Sequence, residues 1–332
     1  MGTLLTVTVV ADDRVEAQSM ADAAIDEARR WDDALTIWRA EGELARLNAM
    51  AGQGPFVVSP RLERGLAAML DLADATGGAF EPAVGVLKIP GARPVFPLAG
   101  IRRVLRLDAT RATLEAGNAL DSGAIGKGLA LEAMVKLLRS RGAAAAFLDF
   151  GGSSQTALGA PPGEPEGWTV LVAGWANGVS HGSVRLRDAS LSTSRAAAED
   201  TTPILDPRSG AAVPAPRLVT VRTADATDAD AWSTALVVLG REGLARAASH
   251  GVEVLMEDAG GVVRTPGFGV GGQAEGPGGR AGWGCRGETR PWTGPKPQKH
   301  LRMKVSFGML LPQPPPRHGW PVRESAERRL RT

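Results

Sequence analysis

The texture of the chain changes abruptly after Pro266-Gly267-Phe268, and that change limits what can fold. Residues 271–332 are rich in Gly, Pro and Arg, with runs such as Gly276-Pro277-Gly278-Gly279 and Pro314-Pro315-Pro316. Such a composition buries too little apolar surface to offset the entropy lost on ordering it. The stretch reads as a disordered tail with one short sticky patch at Val305–Leu311. A basic arm for partners and an extension produced by read-through or frameshift are both open readings for it. The core must then come from residues 1–270, as one large domain or two ordinary ones.

Charge follows the same boundary. The tail carries 12 Lys and Arg against 4 Asp and Glu, a net of +8, while the whole chain is only +2. Residues 1–270 are therefore net −6, and the basic isoelectric point belongs to the tail. It gives no reason to expect nucleic acid as a partner of the body. The single cysteine, Cys285, excludes a disulfide framework and a cysteine-rich zinc site. Four scattered histidines lack ligand-like spacing.

Met1–Val10 alternates like a strand and has neither the basic start nor the apolar core of a signal peptide. No run reaches the roughly 20 apolar residues of a membrane span. As written, the chain is expected to be soluble and cytoplasmic, or periplasmic or membrane-anchored if a leader precedes it.

Periodicity gives a first strand over 4–10 and a helix over 13–34. On that helix Ala17, Met20, Ala21, Ala24, Ile25, Ala28 and Trp31 form one stripe. Ser59-Pro60 opens a second helix, a good N-cap with proline in the first turn, and Gly77-Gly78 stops it. A third helix is predicted from about 126 to 139, feeding a buried strand over 144–148. Strands follow near 168–172, 184–186 and 218–221, then helices over 227–239 and 241–250 and a strand over 252–256. Several connections look antiparallel, so the expectation is an α/β (mixed α+β) fold of sheets with packed helices, without a strict βαβ repeat.

Four stretches carry chemistry. In Asp121-Ser122-Gly123-Ala124-Ile125-Gly126-Lys127-Gly128, three glycines and a lysine sit where loop becomes helix. Free N–H groups and the positive end of a helix dipole suit phosphate there. A simple glycine-rich turn capping a helix is the alternative. The stretch fits neither the P-loop nor the dinucleotide fingerprint, because the glycine spacing differs and Gly128 follows the lysine.

In Asp225-Ala226-Thr227-Asp228-Ala229-Asp230-Ala231-Trp232-Ser233-Thr234, Asp230 and Thr234 lie four apart on one helix face. A carboxylate with a hydroxyl is a hard-oxygen pair suited to Mg²⁺ on substrate phosphates. Ordinary helix-dipole complementation is the alternative. Pro203-Ile204-Leu205-Asp206-Pro207-Arg208-Ser209-Gly210 reads as a turn, and Gly77-Gly78-Ala79-Phe80-Glu81-Pro82 as a helix stop and loop.

Taken in order, these stretches resemble the ApbE family of FAD:protein FMN transferases. The resemblance extends to Met1-Gly2-Thr3, to the run from Leu35-Thr36-Ile37-Trp38 to Asn48, to Phe150-Gly151-Gly152-Ser153 and to Leu191-Ser192-Thr193-Ser194. It covers about residues 1–270, implies an ApbE/T-fold-like architecture, and finds no counterpart in the tail.

The resemblance implies Mg²⁺ held by Asp230, Thr234 and the main-chain carbonyl of Ala124, with Asp230 and Lys127 as catalytic residues. It implies that Asp121 and Lys127 contact FAD, with Lys127 near the phosphates. Met1, Trp38, Ala79, Phe80, Glu81 and Ile204 would line the flavin and adenine pockets. An indole at Trp38 can stack on a planar ring, and core packing is its other reading. The acceptor would be a protein bearing a Ser or Thr hydroxyl, with AMP released.

Three positions depart from the family pattern. Pro203 stands where a histidine is usual, Arg195 to Glu199 replace a Gly followed by an aromatic, and Ser153 replaces an aspartate. Hydrolysis of FAD to FMN and AMP, and FAD binding without catalysis, are the alternatives to transfer. A nicotinamide or ATP-binding enzyme is a more distant one, since both fingerprints are missing.

Overall fold

The computed structural model describes residues 3–89, 91–176, 178–198 and 203–271, together with the backbone of 301–308. In chain order the strands are β1 (Leu4–Ala11), β2 (Phe56–Val57), β3 (Leu105–Asp108), β4 (Arg111–Leu114), β5 (Ala145–Phe150) and β6 (Ser154–Leu158). They continue as β7 (Trp168–Ala173), β8 (Ser180–Leu186), β9 (Ala189–Ala196), β10 (Arg217–Thr223), β11 (Glu253–Asp258), β12 (Gly261–Arg264) and β13 (Leu301–Gly308). The helices are α1 (Arg14–Leu35), α2 (Glu43–Ala49), α3 (Pro60–Ala75), α4 (Ile101–Val104), α5 (Gly126–Ser140), α6 (Ala226–Leu239) and α7 (Leu244–Ser249).

Eight strands form the main sheet in the order β12-β11-β10-β9-β6-β5-β1-β13. Every pairing among the described residues is antiparallel, in accord with the expected absence of a βαβ repeat. Strand alternation divides the sheet's apolar residues between two cores. Val7, Val9, Leu148 and Phe150 join the main core with the helices. Val10, Ala145 and Phe147 meet Trp168, Val170 and Leu186 of the β7–β8 hairpin on the other face.

The helices form where the sequence marks them. The Asp13 carboxylate caps α1 by accepting from the N–H groups of Val15 and Glu16 at 2.8 and 2.9 Å. The seven stripe residues predicted for this helix are all buried. Ser59 caps α3, with Pro60 in its first turn. Helices α1, α5 and α6 pack in sequence, and α6 lies on β9 and β10.

The α2 helix, the β3–β4 hairpin and the 3₁₀ turn Pro82–Lys88 do not follow from periodicity, being shorter than the patterns it detects. Within the stretch that reads as disordered on composition, Leu301–Gly308 is ordered as an edge strand. It covers β1 from Leu4 to Ala11, which otherwise would present unpaired main-chain groups. The rest of 272–332 lies outside the described residues. Among those described, no helix is long and apolar enough to cross a membrane.

Candidate active site

The site lies where the first turns of α5 and α6 touch. Gly128 makes that contact possible, because a Cβ on it would stand 2.7 Å from the Thr227 Cα and overlap the Ala226 carbonyl. With the two helix starts this close, Lys127 and Asp230 meet across 103 residues of sequence. Lys127 Nζ donates to Asp230 Oδ1 at 3.1 Å and reaches Oδ2 at 3.5 Å. The Gly128 N–H donates to Asp230 Oδ2 at 3.0 Å. No main-chain N–H among the described residues bonds the Ala124 carbonyl, to which a regular helix would have turned that group.

Asp230 is almost fully buried, so its charge needs partners. Two further donors come from neighbouring strands: Ser154 Oγ of β6 and Ser192 Oγ of β9, each 3.2 Å from Asp230 Oδ1. Ser194 and Ser233 extend the hydroxyl chain, 2.8 Å apart, and Ser194 lies 3.2 Å from Thr234 Oγ1. Thr234 Oγ1 is 3.5 Å from the Asp230 carbonyl, a helix-local contact at the limit of hydrogen bonding. The serines were not singled out from sequence as site residues. For Ser192 and Ser194 there is a signal in their spacing with Ser190, which puts three hydroxyls on one face of a strand.

Asp121 sits at the entrance to α5. Its carboxylate accepts from the Gly123 N–H at 2.9 Å and pairs with Lys88 Nζ at 2.5 Å. The chain on either side of it is held by two long-range clasps. The Asn48 amide donates to the Leu120 carbonyl at 2.9 Å and accepts the Leu120 N–H at 2.8 Å. Ser122 Oγ donates to the carbonyl of Leu35 at the end of α1 at 2.9 Å. Trp38 is 57% exposed, with Lys88 Nζ 5.0 Å from its ring centroid. Lys88 thus joins Trp38 to Asp121, a role that nothing in its local sequence announces.

The other candidates are placed differently. Ala79 and Phe80 are buried within the main core. Glu81 is buried too, and its Oε1 accepts from the N–H groups of Ala83 and Ile101, each at 2.9 Å. Burial pushes its pKa up, against the pull of those two donors. Its carboxylate thus caps the Pro82–Lys88 turn. Ile204 packs against the main core, and its carbonyl accepts from the Val213 N–H across a short bridge. The turn after it is closed by Gly210, whose φ of +72° and contact with the Phe96 ring leave no room for a side chain. Pro203 is exposed, and Met1 lies outside the described residues.

Beside the site, Asp228 has its pKa raised to about 6, first by burial and then by the charges of Asp225 and Glu132, with His250 opposing. Among the described residues no three His, Cys, Asp or Glu side chains gather as a metal cluster. A cation at Asp230 would rest on one carboxylate, hydroxyls, a main-chain carbonyl and its ligand's own oxygens. That donor set is all hard oxygen, which fits Mg²⁺ and its habit of keeping water and phosphate ligands.

A buried carboxylate, a lysine and main-chain N–H groups at two touching helix starts give this mixed α/β fold the chemistry of a phosphate-handling site. The chain belongs to the ApbE family, whose model matches residues 1–256. A Treponema pallidum protein named FAD:protein FMN transferase is 32% identical, over 63% of this chain and 68% of its own length. A Klebsiella pneumoniae protein of the same name is 28% identical over 68% of this chain and 77% of its own. The fold matches the crystal structure of the Thermotoga maritima ApbE protein with a TM-score of 0.70, over 79% of this chain and 94% of that one, at 22% identity. The apo Pseudomonas stutzeri flavinyl transferase ApbE matches with a TM-score of 0.67 at 23% identity, over 79% and 90% of the two chains.

Proposed function

We propose that residues 1–270 form a Mg²⁺-dependent transferase that moves FMN from FAD to a Ser or Thr hydroxyl of an acceptor protein and releases AMP. The observation that carries this reading is the meeting of Lys127, the Gly128 N–H and Asp230 at the two helix starts. Family membership and relatives named FAD:protein FMN transferase support it.

In the reaction the acceptor oxygen bonds to the phosphorus of the FMN half, the bond from that phosphorus to the AMP oxygen breaks, and the hydroxyl proton passes to water. Phosphoryl chemistry of this kind asks a protein chiefly to position groups and neutralise charge. Asp121 and Lys127 contact FAD, and Lys127 with the glycine-loop N–H groups takes up charge on the pyrophosphate. Asp230, Thr234 and the Ala124 carbonyl hold Mg²⁺, which when bound acts as a Lewis acid. The indole of Trp38 offers a face for a planar ring of the substrate. Pro203, where a histidine is usual in the family, removes a side chain that could accept a proton or orient the nucleophile, so binding survives better than turnover.

Incubating the protein with FAD, Mg²⁺ and a flavin-acceptor domain tests the reading. AMP together with flavin bound covalently to the acceptor is the expected result. AMP with free FMN would mean hydrolysis, and tight FAD binding without AMP a binding module. Full activity in Asp230→Ala would overturn the cation assignment.

A further inference from the structure

The groups on the Asp230 carboxylate are of two kinds. Gly128 offers a main-chain N–H of α5, while Ser154 and Ser192 are buried and face one another in register on β6 and β9. The Gly128 N–H cannot withdraw without moving α5, and the two serines are short, neutral side chains confined beside the carboxylate. Lys127 differs: its side chain is 22% exposed, its stem is long, and it alone brings a full positive charge.

From this asymmetry we propose that Lys127 is an exchangeable counter-ion, holding the place of a divalent cation at Asp230 and ceding it when cation and substrate phosphate arrive together. The inference rests on the reading of Asp230 as a cation ligand. Lys127 and a divalent ion would compete for one carboxylate, and two positive centres a few ångströms apart repel strongly in a buried setting. Ser154, Ser192 and the Gly128 N–H keep the carboxylate in place during the exchange. The displaced ammonium needs a new anion, and phosphate at the α5 start supplies one.

Two consequences follow from that competition. Without phosphate, Lys127 weakens cation binding, and with phosphate it ceases to do so. Cation and FAD therefore each tighten the other, and the coupling is reciprocal. Lys127 acts here as a positioning residue whose effect on the cation depends on the ligand present.

The test is Mn²⁺ affinity of the full chain, read from the electron paramagnetic resonance of free Mn²⁺, with and without FAD. Lys127→Met is expected to bind Mn²⁺ about tenfold more tightly than wild type when FAD is absent. It should also lose most of the tightening that FAD brings. Lys127→Arg keeps a cation with a fork matched to carboxylate, and should bind Mn²⁺ no more tightly than wild type. Equal or weaker Mn²⁺ binding by Lys127→Met, or tighter binding by Lys127→Arg, would overturn the exchange. Asp230→Asn separates the two levels: if it binds Mn²⁺ as well as wild type, Asp230 is no cation ligand and the reading beneath this inference fails as well.

Discussion

Gly128 and Ala226 touch main chain to main chain, and through that contact the first turns of α5 and α6 share one site. A methyl group at residue 128 would overlap the Ala226 carbonyl and press on the Thr227 Cα at 2.7 Å. Backbone cannot rotate aside as a side chain can, so the helix starts must separate. Gly128→Ala should cost about 1–3 kcal/mol, the usual range for overpacking. It should also weaken FAD binding, because the Gly128 N–H moves away from Asp230. Urea unfolding and an FAD titration measure the two effects, and an unchanged urea midpoint would refute the close-contact account.

Asn48 clasps Leu120 through both of its main-chain groups, just ahead of Asp121. Asn48→Ala leaves the N–H and C=O of the buried Leu120 without partners, at roughly 1–3 kcal/mol for unsatisfied groups. The loop that carries Asp121 then loosens. We expect a lower melting temperature and a weaker FAD affinity together, and Asn48→Asp should restore neither, because it supplies no amide donor.

Trp38 is more than half exposed, with Lys88 rather than core atoms over its ring. Trp38→Ala should therefore leave the melting temperature within a degree or two while weakening FAD about two- to tenfold, since stacking contributes on the order of 0.5–1.5 kcal/mol. A large fall in stability would return Trp38 to a packing role.

Asp228 gives a pH dependence with a definite sign. Its pKa rises to about 6 in the folded chain, chiefly through burial, from an ordinary carboxylate value of 3.8. Between those values the folded state keeps a proton that the unfolded state has lost. The contribution is present in full below pH 4 and lost as pH rises through 6. Asp228→Asn should melt higher than wild type at pH 7, with the advantage fading towards pH 4. Melting curves at several pH values test this, and an advantage that grew on acidification would contradict it.

Much of the site was legible from short-range pattern. Asp13 and Ser59 mark helix starts because a side-chain oxygen next to a first turn can satisfy its free N–H groups. Asp121 to Gly128 stands out for a related reason, three glycines and a lysine at a helix entrance. Lys88 was not legible: its pairing with Asp121 and its place over Trp38 depend on how a 3₁₀ turn packs against two distant loops. Glu81 was marked by the family resemblance alone, and only the packing shows that both N–H groups on its Oε1 belong to the main chain of Ala83 and Ile101.

Sequence by itself determined the long helices and the strands with clear apolar patterning, and which helix starts carry a lysine, a glycine or a carboxylate. Those features depend on neighbours within a turn or two, and local sterics and hydrogen bonding act at that range. Tertiary structure alone decided that Lys127 reaches Asp230 and that Ser154 and Ser192 close around the same oxygen. These contacts span from 38 to 103 residues and follow from the order β9-β6-β5 in the sheet and from the α5–α6 contact at Gly128. A buried charge must be met by whatever donors the packing brings to it, and that packing belongs to the whole chain.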